Sequence, residues 1–458
     1  DLVSSRGLGD VYKRQVFTMS ELPEVHKFGG SCLRDASDLE KIAGILNQAQ
    51  QPVIVVVSAL WGTTDRLMRA AQEPRYAGRL VNDLASHHLR LSPTLIESPL
   101  YDVFQRVLEG IEESLTALAT DRDDKKAYNQ LLASGERLSA LVIAHGLSIR
   151  GLDAHPVGAE DIGLQMDGEI TASRVDIKAS QQNLDRSVFH DIPVVTGWFG
   201  VGKDGNIALL GRGGSDHTAT ALAALLHAQR VILWKDVLGI YPVNPRWGIQ
   251  SSPIPYLGYS EAIEFANADA TILHPATVEP VYEMGIPIEI RHLSNYRQNG
   301  MKTVIGPDIE TKPNIKGIAC IQRVACINVE ARYSRDAALE LSDLLQELNE
   351  DNIRICSFET TNSQWRFVVP QHEVARCVQI IERGRSVVNY EYFAAMLSFI
   401  GCRNIAYLRE QLNGQEDIKS VELYESSSSI HLLTKRMDIS RMLDEMMSFI
   451  SSSSDYSA

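Results

Sequence analysis

Between residues 19 and 306 the chain alternates short apolar runs with longer stretches of helical period. Strands are predicted at 25–28, 53–58, 194–199, 207–210, 231–234 and 288–291, most of them rich in Val, Ile and Leu without polar alternation. Runs of that kind are buried on both faces of a sheet. Helices are predicted at 38–48, 77–91, 101–119, 125–150 and from about 215 onward. Such alternation implies an α/β domain with a largely parallel sheet. After Pro307 the order changes to strand (318–331), helix (336–349), two strands (353–360, 365–369) and helix (371–383). The same order recurs at 393–400, 405–412, 421–425, 430–433 and 437–450. Two β-α-β-β-α units of about seventy residues are a weak internal repeat and predict paired α+β domains.

Length and charge narrow the picture. A chain of 458 residues exceeds one compact core, so the expected division is 19–310, 311–385 and 386–451, with interleaving at the boundaries. Residues 1–18 have no amphipathic period and no cleavage site. They read as a non-native leader resembling translated adaptor sequence, with Met19 as the natural start. The serine-rich 452–458 reads as a tail. A net charge of −14 argues against nucleic acid as a partner. No apolar run reaches membrane-spanning length, so no membrane partner is expected. Six cysteines without a CxxC pair or metal-ligand spacing fit reduced thiols in the cytoplasm.

The most informative stretch is 207–228, where a strand run meets Gly211-Arg-Gly-Gly-Ser-Asp216 and an Ala/Leu helix follows. Glycines admit close approach to backbone amides, a helix start attracts anions, and Arg212 offers a fork for carboxylate or phosphate. The plain alternative is a strand-to-helix turn with a Ser/Asp cap. A second element, Lys27-Phe-Gly-Gly-Ser31, places an ammonium over an amide-rich turn, and a third runs from Trp234-Lys-Asp236 through Tyr241 to Pro245-Arg246. Two formal phosphate-loop matches are set aside. Gly200-Val-Gly-Lys-Asp-Gly205 and the run Gly197 to Lys203 are followed by a strand instead of the helix such loops need, and 203–206 reads as a hairpin turn.

Taken in order, the three elements resemble the aspartate kinases of the amino-acid kinase superfamily. Val56-Val-Ser58-Ala, Ser134-Gly-Glu136-Arg, Val195-Thr-Gly197 and Leu273-His-Pro275 support the match. Within that family the chain is most similar to the kinase half of bifunctional aspartokinase/homoserine dehydrogenases of type II, without the dehydrogenase half. The resemblance implies a carbamate-kinase-like α/β sandwich at 19–310 followed by two ferredoxin-like ACT domains, working as a cytoplasmic homodimer joined through them. It implies transfer of the γ-phosphoryl of ATP, with Mg²⁺, to the side-chain carboxylate of L-aspartate, at the head of the pathway to Lys, Thr and Met.

The implied residues follow motif by motif. Lys27 meets the transferred phosphate and Asp216 organises it. Ser58, Thr64, Glu136, Arg212 and Ser215 line the aspartate pocket, with Arg212 on a carboxylate and Glu136 on the ammonium. Gly29, Gly30, Ser31, Gly213, Gly214, Lys235, Asp236, Tyr241, Arg246 and Thr271 belong to the nucleotide site. No protein ligand to the metal is implied. Lys235 stands where the family usually has threonine, and Thr271 where it has a nucleotide-contacting lysine. This predicts either that Lys235 moves the lost charge to a neighbouring strand end or that it is simply a surface residue. Ser31-Cys32 replaces the commoner Thr-Ser. Effector-binding ACT domains have a glycine in the turn after the first strand; the turn at 332–336 lacks it and looks poor for a ligand, while 402–404, which follows Gly401, is left open, so these units are expected to serve dimerisation more than feedback. Two alternatives stay open: a weakly active or non-catalytic kinase-like regulator, or half of a bifunctional enzyme, and a kinase for another carboxylate. An acid at the substrate's amino end disfavours an acylated amino acid.

Overall fold

The computed structural model describes residues 22–73, 76–172, 174–268, 272–296, 300–309, 315–330, 337–351, 353–360, 364–383, 387–402, 406, 408, 410, 423–425 and 428–450. Two compact units emerge, one running to Asp236 with Ile286–Ile288, the other comprising Val237–Gly285 and Glu289 onward.

The first unit is built on a parallel sheet. Strands Ala154–Val157, Ile192–Thr196, Val53–Val57, Glu24–Phe28 and Arg230–Lys235 are hydrogen-bonded in that order. Every residue of Glu24–Phe28 and Val53–Val57 is buried, as their unalternating sequences require. The carboxyl ends of these strands, Phe28, Val57, Thr196 and Lys235, lie along one edge, where open α/β sheets place their ligands. Helix Lys125–Ser148 is buried along most of its length, and Asp124 caps its start by accepting from the Ala127 N–H.

The predicted strand 194–199 is two strands. Ile192–Thr196 ends in the parallel sheet, and Phe199–Val201 begins an antiparallel hairpin with Ile207–Leu210. Between them Trp198 takes φ 73° and swings the chain from one sheet to the other. A Cβ on Gly197 would stand 2.7 Å from the Ser215 Cβ, so only glycine passes there. The hairpin turn expected at 203–206 is present, with Gly205 at φ 78° and Gly202 N–H donating to the Asn206 carbonyl.

The second unit contains strands Tyr256–Gly258 and Thr303–Gly306, paired in parallel, and helix Tyr259–Asn267. Its larger part is a six-stranded antiparallel sheet in the order Ser357–Thr360, Gln364–Pro370, Gly317–Glu330, Val387–Ile400, Ser429–Thr434, Leu423–Glu425. Among the described residues two α-helices pack on one half and one on the other. Leu344 and Leu348 of Ala337–Glu350, with Cys377 and Ile380 of Val374–Ile381, pack on Ile327, Val329 and Phe367. Met442, Leu443 and Met446 of Ile439–Met446 pack on Leu397, Phe399 and Leu432. The two halves share one sheet, and most of the helix expected at 405–412 lies outside the described residues. The turns 332–336 and 403–404, the leader and the tail lie outside the described residues. No helix among the described residues is long and apolar enough to cross a membrane.

Candidate active site

A pocket of about 630 Å³ opens in the first unit, lined by Lys27, Ser58, Thr64, Glu136, Arg212 and Asp216 among others. Gly30, Ser31, Gly213, Gly214 and Ser215 also face it. Of the sequence-predicted residues in this unit, Gly29, Lys235 and Asp236 are not among those lining it.

Lys27 is the penultimate residue of the central strand and is 6% exposed. Its Nζ lies 2.7 Å from Asp216 Oδ1. A Cβ on Gly29 would stand 3.1 Å from that same Nζ, so the glycine leaves room for the ammonium over the turn. Lys235 ends the adjacent strand, one residue beyond the Phe28–Trp234 pair, and its Nζ reaches Asp216 Oδ2 at 2.8 Å. Burial by itself would raise the Asp216 carboxyl. The ammonium groups of Lys235 and Lys27 outweigh it and hold the group well below the usual carboxylate range. The surface reading of Lys235 is therefore corrected: the side chain is largely buried and ion-paired.

Asp216 sits in the first turn of helix Gly214–Leu226, where the dipole favours an acid. The N-cap is Gly213 at φ 77° with no side-chain cap, so the Ser/Asp cap of the plain reading is absent. A Cβ on Gly214 would meet the Leu210 Cβ and the Trp198 Cδ1, each at 2.6 Å. That close packing seats the helix start against the pocket wall.

Glu136 approaches from helix Lys125–Ser148 and is 2% exposed. Its Oε1 accepts from the Ala59 N–H at 3.1 Å, while Oε2 is buried and has no hydrogen-bond partner. Burial pushes its carboxyl up to about 8. A buried acid with one orphaned oxygen facing a pocket is built to receive a donor or a cation. Arg212, exposed on the loop before the helix, has no acidic partner among the described residues. The pocket therefore offers the Lys27 ammonium paired with Asp216, a guanidinium at the rim and a second, unsatisfied acid, while the Lys235 ammonium holds the other oxygen of Asp216 from outside the lining.

Sequence reasoning missed Trp61 and Trp198, which form part of the lining. Trp198 had a local signal, since it stands between Gly197 and Gly200 in an otherwise apolar strand. Asp236 is exposed, with Arg34 at 3.5 Å. The Cys32 thiol is buried, donates to the Trp234 carbonyl at 3.3 Å and is pushed by burial up to about 11, so it is inert at neutral pH. Tyr241 and Arg246 belong to the second unit, where the Arg246 N–H donates to Asn244 Oδ1 at 3.0 Å. Thr271 lies outside the described residues.

Comparison with known proteins shows which family the chain belongs to. Aspartokinase 1, chloroplastic, of Arabidopsis thaliana is 27% identical over 403 residues, 82% of this chain and 70% of that protein. A bifunctional aspartokinase/homoserine dehydrogenase 2, chloroplastic, of the same plant is 27% identical over 373 residues, 77% of this chain but 41% of that protein. Among solved structures, Escherichia coli aspartokinase III in complex with aspartate and ADP superposes with a TM-score of 0.74 at 22% identity, covering 93% of this chain and 99% of that one. The sequence profile of the amino acid kinase family matches residues 24–292, more than half of the chain, and the chain belongs to that family.

Proposed function

We propose that this protein is an aspartate kinase, transferring the γ-phosphoryl group of ATP to the side-chain carboxylate of L-aspartate to give 4-phospho-L-aspartate and ADP. The observation that carries the reading is the orphaned Glu136 Oε2 in one pocket with Arg212 and the Lys27–Asp216 pair. An amino-acid substrate brings an ammonium and two carboxylates, and that set of groups complements it. The aspartokinases among the relatives support the same substrate.

The chemistry needs no general base, because a carboxylate of ordinary pKa, about 3.9, is ionised at neutral pH. One carboxylate oxygen attacks the γ-phosphorus. The new O–P bond forms as the bond to the bridging oxygen breaks, and ADP leaves with that electron pair. The barrier is the approach of two anions, so catalysis is positioning with neutralisation of charge. Lys27 meets the transferred phosphoryl group, with Asp216 holding its ammonium in place. Lys235 supplies a second ammonium at the same carboxylate. Arg212 clamps the α-carboxylate, Ser58, Thr64 and Ser215 complete that end of the pocket, and Glu136 ionises as it takes the substrate ammonium.

Gly29, Gly30, Ser31, Gly213 and Gly214 are assigned to the phosphates, and Asp236, Tyr241, Arg246 and Thr271 to the rest of the nucleotide. Mg²⁺ would screen the phosphate charge, held mainly by the nucleotide's own oxygens. The pocket suits that arrangement, since the Asp216 carboxylate is occupied by two lysines. Residues 19–310 form the catalytic domain in this reading, with ACT domains at 311–385 and 386–451 in a cytoplasmic homodimer.

Incubation with Mg-ATP, L-aspartate and hydroxylamine should give aspartyl hydroxamate. Yield no higher than that of a Lys27→Ala control would refute the activity.

A further inference from the structure

Within the second unit a cavity of about 900 Å³ lies among the loop that carries Arg246, the middle of strand Gly317–Glu330 and the end of strand Gln364–Pro370. Arg246, Arg323, Arg354 and His372 line it, and no carboxylate does. In a chain of net charge −14, three guanidinium groups converging on one cavity form a local reversal of sign. Neither Arg246 nor Arg323 has an acidic partner among the described residues. Arg354 donates from Nη2 to the Asn267 carbonyl at 2.8 Å, which fixes its reach. The nearby acid, Glu373, accepts from the Arg354 N–H at 2.6 Å and stands 3.5 Å from His372.

Arg323 is the second observation. It takes φ 55° in the middle of a long strand, between residues that remain paired, Gln322 with Ala395 and Val324 with Phe393. An arginine has no intrinsic reason to adopt a left-handed conformation, and such outliers persist where the surroundings or a function require them. Here the kink leaves both Gln322 and Arg323 exposed, breaking the strand's alternation, and Arg323 lines the cavity.

We infer that this cavity is a binding site for a small, multiply charged phosphate anion. Guanidinium forks pair bidentately with phosphate oxygens. A free amino acid fits poorly, because its ammonium would meet no carboxylate in the lining. The site stands without the activity proposed above.

Pyrophosphate binding to the full chain, followed by calorimetry at fixed ionic strength, tests the site. One binding event should weaken at least ten-fold in Arg323→Gln/Arg354→Gln and persist with unchanged affinity in Lys27→Ala. Binding that is lost in Lys27→Ala but kept in the double variant would assign the phosphate to the other pocket and overturn the inference, as would no binding at all. Arg323→Gly guards against a folding defect. Glycine accepts φ 55°, so this variant should melt at or above the wild-type temperature while binding pyrophosphate more weakly. A lower melting temperature with unchanged binding would make Arg323 structural and end the proposal. Hydroxamate formation in the absence of pyrophosphate should be unchanged in both arginine variants, so failure of the anion site is read separately from failure of the kinase reading.

Discussion

Lys235 and Lys27 hold opposite oxygens of one carboxylate: Asp216 Oδ2 lies 2.8 Å from the first ammonium and Oδ1 lies 2.7 Å from the second. The two lysines come from adjacent parallel strands whose last paired residues are Phe28 and Trp234. One buried acid thus faces two cations. In the kinase reading proposed above, the surplus charge would meet an incoming phosphate.

Removal of Lys235 should therefore weaken nucleotide binding more than aspartate binding. In Lys235→Ala the KM for ATP should rise about ten-fold, equivalent to about 1.4 kcal/mol. The KM for aspartate should stay within about two-fold. Steady-state kinetics against each substrate decides it, and an unchanged KM for ATP would exclude a role for Lys235 there.

Asp216→Asn should be the most damaging change at the site. It leaves two buried ammonium groups without a counter-charge, a loss of about 3–5 kcal/mol. The same linkage sets an acid limit. The Asp216 pKa is depressed in the folded state, so its contribution is fully present above the ordinary carboxylate pKa, about 4, and is lost as pH falls below it. Thermal melts from pH 7 down to pH 3 should show a wild-type decline that is shallower in Asp216→Asn.

Glu136 has the opposite sign. Burial raises its folded carboxyl from 4.5 to about 8, so the folded protein keeps a proton that the unfolded chain gives up. Stability from this group falls as pH rises from about 4.5 to 8. Glu136→Gln should melt higher than wild type at pH 9, by an increment of about 1 kcal/mol or more, and little differently at pH 5. The same variant should lose aspartate binding. In the wild type, aspartate binding at pH 7 should release a proton, seen as a dependence of calorimetric heat on buffer ionisation enthalpy. Heats independent of buffer would show that Glu136 is already ionised.

The glycines of the Gly211-Arg-Gly-Gly motif should separate by their surroundings. Gly214→Ala drives a methyl into Leu210 and Trp198 at 2.6 Å and should cost about 1–3 kcal/mol, with kcat/KM for aspartate falling ten-fold or more. Gly211→Ala meets nothing within 4 Å and has no positive φ. It should change stability by less than about 0.5 kcal/mol. Denaturant midpoints of the two variants give the comparison.

Much of the fold was legible in one dimension. Burial on both faces makes the parallel strands apolar throughout, and helical period marks the layers, so the α/β half and the repeated α+β half could be read from residue order alone. The chemistry at strand ends was legible too, because Lys27-Phe-Gly-Gly and Gly211-Arg-Gly-Gly-Ser-Asp216 break the apolar pattern where a buried strand would otherwise simply stop. Tertiary structure alone decided which charges meet. Lys235 looked like a substitution at a loop, yet strand register sets it against an acid 19 residues earlier. The orphaned oxygen of Glu136 and the convergence of Arg246, Arg323 and Arg354 were invisible for the same reason. Periodicity reports the face a residue turns to its own element. Desolvation and ion pairing depend on neighbours that packing brings from elsewhere in the chain.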